Sequence, residues 1–429
     1  MLYTIPDYYH EFACVAGKCE DTCCAGWQIV ADEAALERYR NETGAFAKRL
    51  KESVNWEEGT FKQDKDRRCA FLNQSNLCDM YTVLGEESLC RTCKLYPRHI
   101  EEFEDVREVT LSVSCPEVAR ILMNKKEPVH FLTYETDEEE EYDDFDPFLY
   151  SKLLDARDVM IDILQDREKK LNLRAALILA IARDLQECID EEDIFSMDDV
   201  FDYYQTEEGI REVEAALAEV DYYTYIRKMF QNQYQMEHLR EDWEIYLQET
   251  EKLLYGNINE KIDRKRYVEI QQEFHASLQK EMPEYEIQYE QLLVYFISTY
   301  FCGAVYDGEA FAKAKMAVVS TLLIHELLMA QWIKQEKVLD INNVIDTVYR
   351  YSRELEHSDS NLNLMQELMQ ESVTVHTMCD QQQESNESRG EILDSVFLTC
   401  YAICDFVRRR CRVTDRVFSK QLFRTTQRG

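Results

Sequence analysis

Proline and glycine are scarce, six and eleven in 429 residues. Long helices therefore run without their usual breakers, and a turn-rich all-β architecture is excluded. No stretch of eighteen apolar residues occurs. The longest candidate, LLVYFISTYFCGAV from Leu292, is closed off by Glu290 and Asp307 and reads as a buried core helix, so no membrane partner is expected. The opening residues MLYTIPDYYHEF have neither the basic nor the apolar region of a signal peptide, which predicts a cytoplasmic protein. Positive charge is in deficit, with 49 Lys and Arg against 84 Asp and Glu. The resulting net charge of −35 repels a polyanion and argues against nucleic acid as a partner. No helical repeat of fixed period is evident, and no glycine-rich turn follows a strand in the manner of dinucleotide-binding folds.

Cysteine, in contrast, is concentrated. Nine of fifteen cysteines lie in the first 115 residues. Cys14, Cys19, Cys23 and Cys24 form a C-x4-C-x3-C-C run. Cys69 and Cys78 follow, then Cys90 and Cys93 as C-x-x-C, then Cys115. Such grouping needs a disulfide framework, a zinc ion or an iron–sulfur cluster to hold the sulfurs together. In a reducing cytoplasm the metal readings are favoured. The spacing signals a metal without choosing between zinc and iron. The later cysteines, Cys188, Cys302, Cys379, Cys400, Cys404 and Cys411, sit in apolar helical contexts and read as core. So does His325, between Ile324 and Glu326.

The predicted fold is a small α+β cysteine-rich metal-binding module over residues 1–130, an acidic linker over 131–146, and a large, mainly α-helical domain over 147–429. In the module, Asp32 is placed to cap a helix through about Ser53. Asn73-Gln74-Ser75-Asn76 marks a tight turn that brings Cys69 near Cys78. Val109, Leu111 and Val113 alternate as in a half-buried strand, which His99 to Phe103 could pair across Glu104-Asp105. Pro116 sits at the first position of a further helix. The run ETDEEEEYDDFD up to Asp146 is too densely charged to bury. Beyond it, apolar residues recur at helical spacing: Leu153, Met160 and Leu164; Leu292, Phe296 and Tyr300; Leu323 and Leu327. Gln381 to Gly390 reads as a loop. The basic stretch from Arg408 to Arg428 reads as a helix C-terminus complementing its dipole.

Several motifs in order resemble the flagellin lysine-N-methylases. They are FACVAGKCEDTCCAGWQI from Phe12 with the helix start at Asp32, CAFL from Cys69, LC from Leu77, LG from Leu84, TCKLYPR from Thr92, and LSVSCPEVAR from Leu111. The helical remainder resembles the family in length and character. The resemblance implies transfer of a methyl group from S-adenosylmethionine to lysine side chains of flagellin by an enzyme with a cysteine-ligated iron–sulfur cluster, of [4Fe-4S] type, with zinc as the alternative. Carried over by position, the ligands are Cys14, Cys19, Cys23, Cys24, Cys69, Cys78, Cys93 and Cys115; Cys90 has no match. The same pattern is similar to a broader zinc- or iron-chelating family whose members need not be methylases, so a non-catalytic scaffold and a redox or electron-transfer protein are the rival readings.

The C-x3-C-x2-C signature of radical S-adenosylmethionine enzymes is not met, because the cysteine after Cys23 is Cys24. Lysine methylation needs no radical: a neutral amine can attack the sulfonium methyl in line. No catalytic residue is assigned by motif. For the cofactor, Arg98 is the candidate to grip the methionine carboxylate bidentately, with a salt bridge to the Glu101-Glu102 region as its structural alternative. Asp21, Trp27 and Tyr96, beside ligand cysteines, are the candidate lining or stacking groups.

Overall fold

The computed structural model describes residues 1–138, 145–217, 221–256 and 264–370. Among the described residues, six strands run in chain order: β1 (Leu2–Pro6), β2 (Val54–Asn55), β3 (Thr60–Phe61), β4 (Arg98–Phe103), β5 (Val106–Leu111) and β6 (Phe131–Glu135). The helices of the first part are α1 (Glu33–Asn41), α2 (Ala47–Ser53), α3 (Asp79–Leu84), α4 (Arg91–Leu95) and α5 (Pro116–Asn124). Then follow α6 (Pro147–Gln165), α7 (Leu171–Asp190), α8 (Met197–Gln205), α9 (Glu207–Leu217), α10 (Tyr222–Asn232) and α11 (Trp243–Leu254). The series ends with α12 (Arg264–Glu281), α13 (Tyr285–Tyr300), α14 (Ala304–Asp307), α15 (Ala310–Lys334), α16 (Ile341–Glu356) and α17 (Asp359–Gln370). A small mixed sheet at the N-terminus is thus followed by a large helical region.

The chain divides into two compact units. The first comprises Met1–Asp143, Tyr234–Leu253 and Glu326–Leu364; the second comprises Asp144–Gln233, Leu254–His325 and Met365–Gly429. The first unit is therefore discontinuous in sequence. Its main sheet has the order β4-β5-β1-β6. β4 and β5 form the hairpin expected across Glu104-Asp105, in the register Arg98↔Leu111 to Phe103↔Val106. Glu104 takes the left-handed conformation that this turn demands, with φ of 47°. β1 pairs parallel to β5 and antiparallel to β6. It went unpredicted because five residues, LYTIP, carry too little periodicity to register.

The Asp32 cap is present: its carboxylate accepts from Ala35 N–H at 2.9 Å. The helix does not reach Ser53 unbroken. It stops at Asn41, and α2 restarts at Ala47 after a turn in which Glu42 accepts the N–H of Gly44. That side-chain bond competes with helix propagation. The tight turn at Asn73 also forms: the Asn73 carboxamide oxygen accepts from Ser75 and Leu77 N–H, and Leu72 and Cys78 bridge antiparallel. Pro116 opens α5. The acidic segment departs from expectation at its start, where Phe131–Glu135 is strand β6. Residues 139–144 lie outside the described residues, and Asp146 caps α6 through Phe148 and Leu149 N–H.

One apolar core of the first unit gathers Ile29, Leu36, Tyr39, Leu50, Phe61, Phe71 and Met80 with buried Cys69 and Cys90; Cys24, Cys78 and Cys93 pack against it half-buried. In the second unit, Ala175 to Ala182 of α7 and Tyr289 to Thr299 of α13 are buried all round. Glu290, fully buried, is held by Arg167 and Arg174, each at 2.7 Å. His325 is buried as expected, bonded to Tyr289 Oη at 2.9 Å and facing His275 across 3.3 Å. Cys188 and Cys302 are buried. Cys379, Cys400, Cys404, Cys411, the Gln381–Gly390 segment and the basic stretch from Arg408 lie outside the described residues. The reading of hydrophobic runs needs one correction. α15 is long and apolar enough, by length and composition, to cross a membrane, with 89% of its apolar window buried inside the protein. Single lysines, a histidine and a glutamate interrupt its run of apolar letters without removing that character.

Candidate functional site

The nine N-terminal cysteines fall into two neighbouring groups, both in the first unit. Cys19 lies near Cys14 and Cys23, and Cys115 near both Cys19 and Cys23. Cys24, Cys69, Cys78, Cys90 and Cys93 line the apolar core. Cys90 and Cys93 lie close enough to share one proton, which favours the thiolate at Cys90 and the proton at Cys93. The neighbouring Cys24 thiol together with burial holds the Cys23 thiol well above its ordinary value. Burial pushes Cys69 and Cys115 up to about 11 each.

The local fold accounts for these positions. Cys69 N–H donates to Cys24 O at 2.8 Å, tying the first cysteine run to the second. Cys90 precedes α4 and Cys115 precedes α5, so both sit where a helix begins. Among the described residues, no three Cys, His, Asp or Glu side chains stand together in a geometry that could hold a metal ion, and no disulfide joins these cysteines. The donor chemistry suits a thiophilic centre all the same: both groups of thiols lie in one unit, with Arg353 beside Cys19 and Cys23 and Arg49 beside Cys69.

Arg353 comes from α16, more than two hundred residues downstream. It is 4% exposed. Its Nε donates to Ser114 O at 2.9 Å, and its Nη2 to Asp21 O at 2.8 Å. Its Nη1 pairs with the Asp21 carboxylate at 2.9 Å. Burial alone would lower its basicity; the Asp21 carboxylate beside it works in the opposite direction. Asp21 is gripped a second time by Arg240 Nη1 at 2.7 Å. The neighbour of Arg353 on α16, Glu354, sets that second grip by accepting Leu239 and Arg240 N–H at 2.7 and 3.0 Å. One turn of helix thus positions both arginines on one carboxylate. The helix itself is started by Asp340, whose side chain takes part in a capping box with Asn343.

Arg353 lies over the Tyr349 ring at 5.4 Å, and three further rings stand beside the clamp. Trp27 lies 4.4 Å from the His357 ring and 6.0 Å from Tyr96, and Tyr96 meets His357 edge-on at 5.4 Å. Trp27 Nε1 donates to Cys23 O at 2.7 Å, so the indole is braced on the cysteine run. His357 Nε2, Tyr96 Oη and Ser112 Oγ all reach Ser114 Oγ, at 2.9, 3.2 and 2.5 Å, and Ser112 donates on to Glu356 at 2.6 Å. Burial, with Arg353 nearby, drops the His357 pKa to about 3, so the imidazole is neutral at physiological pH. Burial holds the Tyr96 phenol protonated.

Of the four candidate cofactor residues, the structure brings Asp21, Trp27 and Tyr96 to one place. Arg98 sits elsewhere, at the start of β4. Its Nε donates to Tyr9 Oη at 2.9 Å and its guanidinium covers the Tyr9 and Phe12 rings. The alternative salt bridge to Glu101-Glu102 is not formed: His99 takes Glu101, and Arg91 and Arg107 approach Glu102. Sequence reasoning missed Arg240, Arg353, Glu354 and His357. The available signal was weak, two arginines and a histidine in RYSRELEH on an otherwise amphipathic helix.

The FliB lysine N-methylase C-terminal domain family matches residues 157–379, more than half of the chain, and the chain belongs to that family. It is 27% identical over 130 residues to the flagellar biosynthetic protein FliU of Salmonella muenchen, covering 28% of this chain and 76% of that protein. It is 26% identical over 130 residues to the lysine-N-methylases of Salmonella typhimurium and Salmonella choleraesuis, covering 28% of this chain and 32% of each of them. The match thus spans about a third of the length of those two methylases. No solved structure matches the chain.

Proposed function

We propose that this protein methylates lysine side chains of flagellin, taking the methyl group from S-adenosylmethionine, in the cytoplasm. The observation that carries the reading is the family match over more than half of the chain. The neutral lysine nitrogen donates its electron pair to the sulfonium methyl carbon. The carbon–sulfur bond breaks, its pair stays on sulfur to leave S-adenosylhomocysteine, and a proton then leaves nitrogen. The faces of Trp27 and Tyr96 suit a sulfonium cation. Asp21, held by two arginines, acts as the brace of this region.

Cys14, Cys19, Cys23, Cys24, Cys69, Cys78, Cys93 and Cys115 are the candidate thiolates; four of them would hold one [4Fe-4S] cluster and eight suffice for two, with Cys90 as a further thiol beside Cys93. Such a cluster, when bound, supplies either a structural cross-link between the cysteine runs or an open iron for the amino and carboxylate groups of the methyl donor. The test combines two measurements. Protein purified without oxygen should be brown, with thiolate-to-iron absorption near roughly 400 nm, and should transfer labelled methyl from S-adenosylmethionine to flagellin without added reductant. Colourless protein with stoichiometric zinc refutes the iron assignment. Absence of transfer with or without reductant refutes the methylase reading and favours a metal-chelating scaffold.

A further inference from the structure

Among the described residues, the main sheet of the first unit ends on one side in an uncovered edge. β6 pairs with β1 alone. The bonds flanking that pairing, Thr136 N–H to Met1 O at 2.9 Å and Asp7 N–H to His130 O at 2.8 Å, fix its phase. Hydrogen-bonded pairs alternate along an antiparallel ladder, so Leu132 and Tyr134 turn their backbone groups toward β1. Phe131, Thr133 and Glu135 turn theirs outward, where no described residue meets them. Four of the five residues are exposed, Leu132 and Tyr134 at 47% each. Tyr134 stays this open although it stacks on Tyr3 at 5.1 Å.

Edges of this kind are usually blunted by lysine, proline, a bulge or a covering loop. β6 has no lysine or proline, and its register runs unbroken over five pairs. At the opposite edge, every residue of β4 is at least half-buried. What β6 does carry is negative charge at one end. Glu135 and Asp137 are exposed and pair with no cation among the described residues, while Glu138 receives the Tyr3 hydroxyl at 2.7 Å. The sequence from Glu135 to Asp144 holds eight acidic residues in ten.

We infer that β6 is a docking strand for an extended, lysine-bearing polypeptide. The guest would add a fifth strand on the outward groups of Phe131, Thr133 and Glu135, with its lysines beside Glu135 and Asp137. Backbone pairing supplies the grip, and charge selects the guest. The choice of a lysine-bearing occupant rests on the methylase reading; the open edge does not.

The test is direct binding to the full chain, followed by fluorescence anisotropy of a short labelled peptide of alternating Lys, Val and Thr. A Glu-for-Lys version is the control. The lysine peptide should bind, weaken with added salt and lose about tenfold in affinity in Thr133→Pro, which deletes one outward N–H. The double variant Glu135→Lys/Asp137→Lys leaves backbone pairing with β1 intact and should lose a similar factor for the lysine peptide while gaining affinity for the control. Backbone amide exchange at Phe131 and Thr133 should slow when the peptide binds. Equal binding of both peptides, or affinities unmoved by either variant, overturns the inference. So does self-association abolished by Thr133→Pro, which would assign the edge to a second copy of the chain. Methyl transfer is measured separately. Peptide binding without transfer fails the methylase reading alone, and transfer with variant-insensitive binding fails the docking inference alone.

Discussion

Replacing Arg353 by Met should open the cysteine-rich unit. The guanidinium makes three bonds of 2.8–2.9 Å, to Ser114 O, Asp21 O and the Asp21 carboxylate. A Met side chain fills much of the volume and satisfies none of them. The Asp21 side chain is 16% exposed, so its charge is poorly hydrated. Removing one partner of a buried pair costs about 3–5 kcal/mol, largely because the remaining charge is stranded. Arg240 still reaches Asp21, which puts the expected loss at the lower end, about 3 kcal/mol. Arg353→Lys keeps the charge but cannot reach both Ser114 and Asp21 with one fork, and should recover less than half. In the double mutant Arg353→Met/Asp21→Asn the losses should fall short of the sum by about 1–3 kcal/mol, the coupling expected of contacting charges. Urea unfolding followed by Trp27 fluorescence reads the stability, and the rate of Cys19 alkylation in metal-free protein reads the local opening. An Arg353→Met protein within about 0.5 kcal/mol of wild type, the range of ordinary surface changes, with unchanged Cys19 reactivity, would refute the reasoning.

Ser substitutions at Cys69, Cys93 or Cys115 should abolish bound metal and lower thermal stability, whereas Cys188→Ser and Cys302→Ser should keep full metal content by elemental analysis; equal loss from both sets would sink the division between ligand and core cysteines. Burial lowers the His275 pKa to about 4 and takes that of His325 well below its usual value. Both are neutral when folded and take up protons near pH 6.5 when unfolded. Stability is therefore full above about pH 6.5 and falls as pH drops toward 4, by about 2 kcal/mol for half-buried His275. Thermal melts across that range check the sign, and His275→Gln should flatten the slope. Arg174→Met strands the buried Glu290 carboxylate with Arg167 alone and should cost about 3 kcal/mol; a melting temperature unchanged from wild type would contradict the assigned burial.

Local chemistry was legible in the sequence. The Asp32 cap, the Asn73 turn, the β4–β5 hairpin and the Pro116 helix start each depend on a few adjacent residues, and each formed. The break after Asn41 escaped because it turns on one side-chain bond from Glu42 to Gly44 that competes with the helix. β1 escaped because a parallel neighbour leaves no mark within five residues. The site was half legible. Cysteine spacing identified the sulfur-rich runs, and adjacency to them picked out Asp21, Trp27 and Tyr96. Arg353 and His357 were out of reach, since nothing local in RYSRELEH says which side chain faces a segment made hundreds of residues earlier.

The discontinuity of the first unit has a consequence for how the protein is made. Arg353 closes on Ser114 across 239 residues. At about 5–20 residues per second of synthesis, roughly 10–50 s separate the two leaving the ribosome. During that interval the cysteine runs are already out while their arginine clamp does not yet exist. Nine thiols must then be kept reduced and unmispaired by their surroundings rather than by the finished fold. Any metal captured before α16 arrives would be held by a half-built unit, so loading after release is the order that the chain's own layout favours.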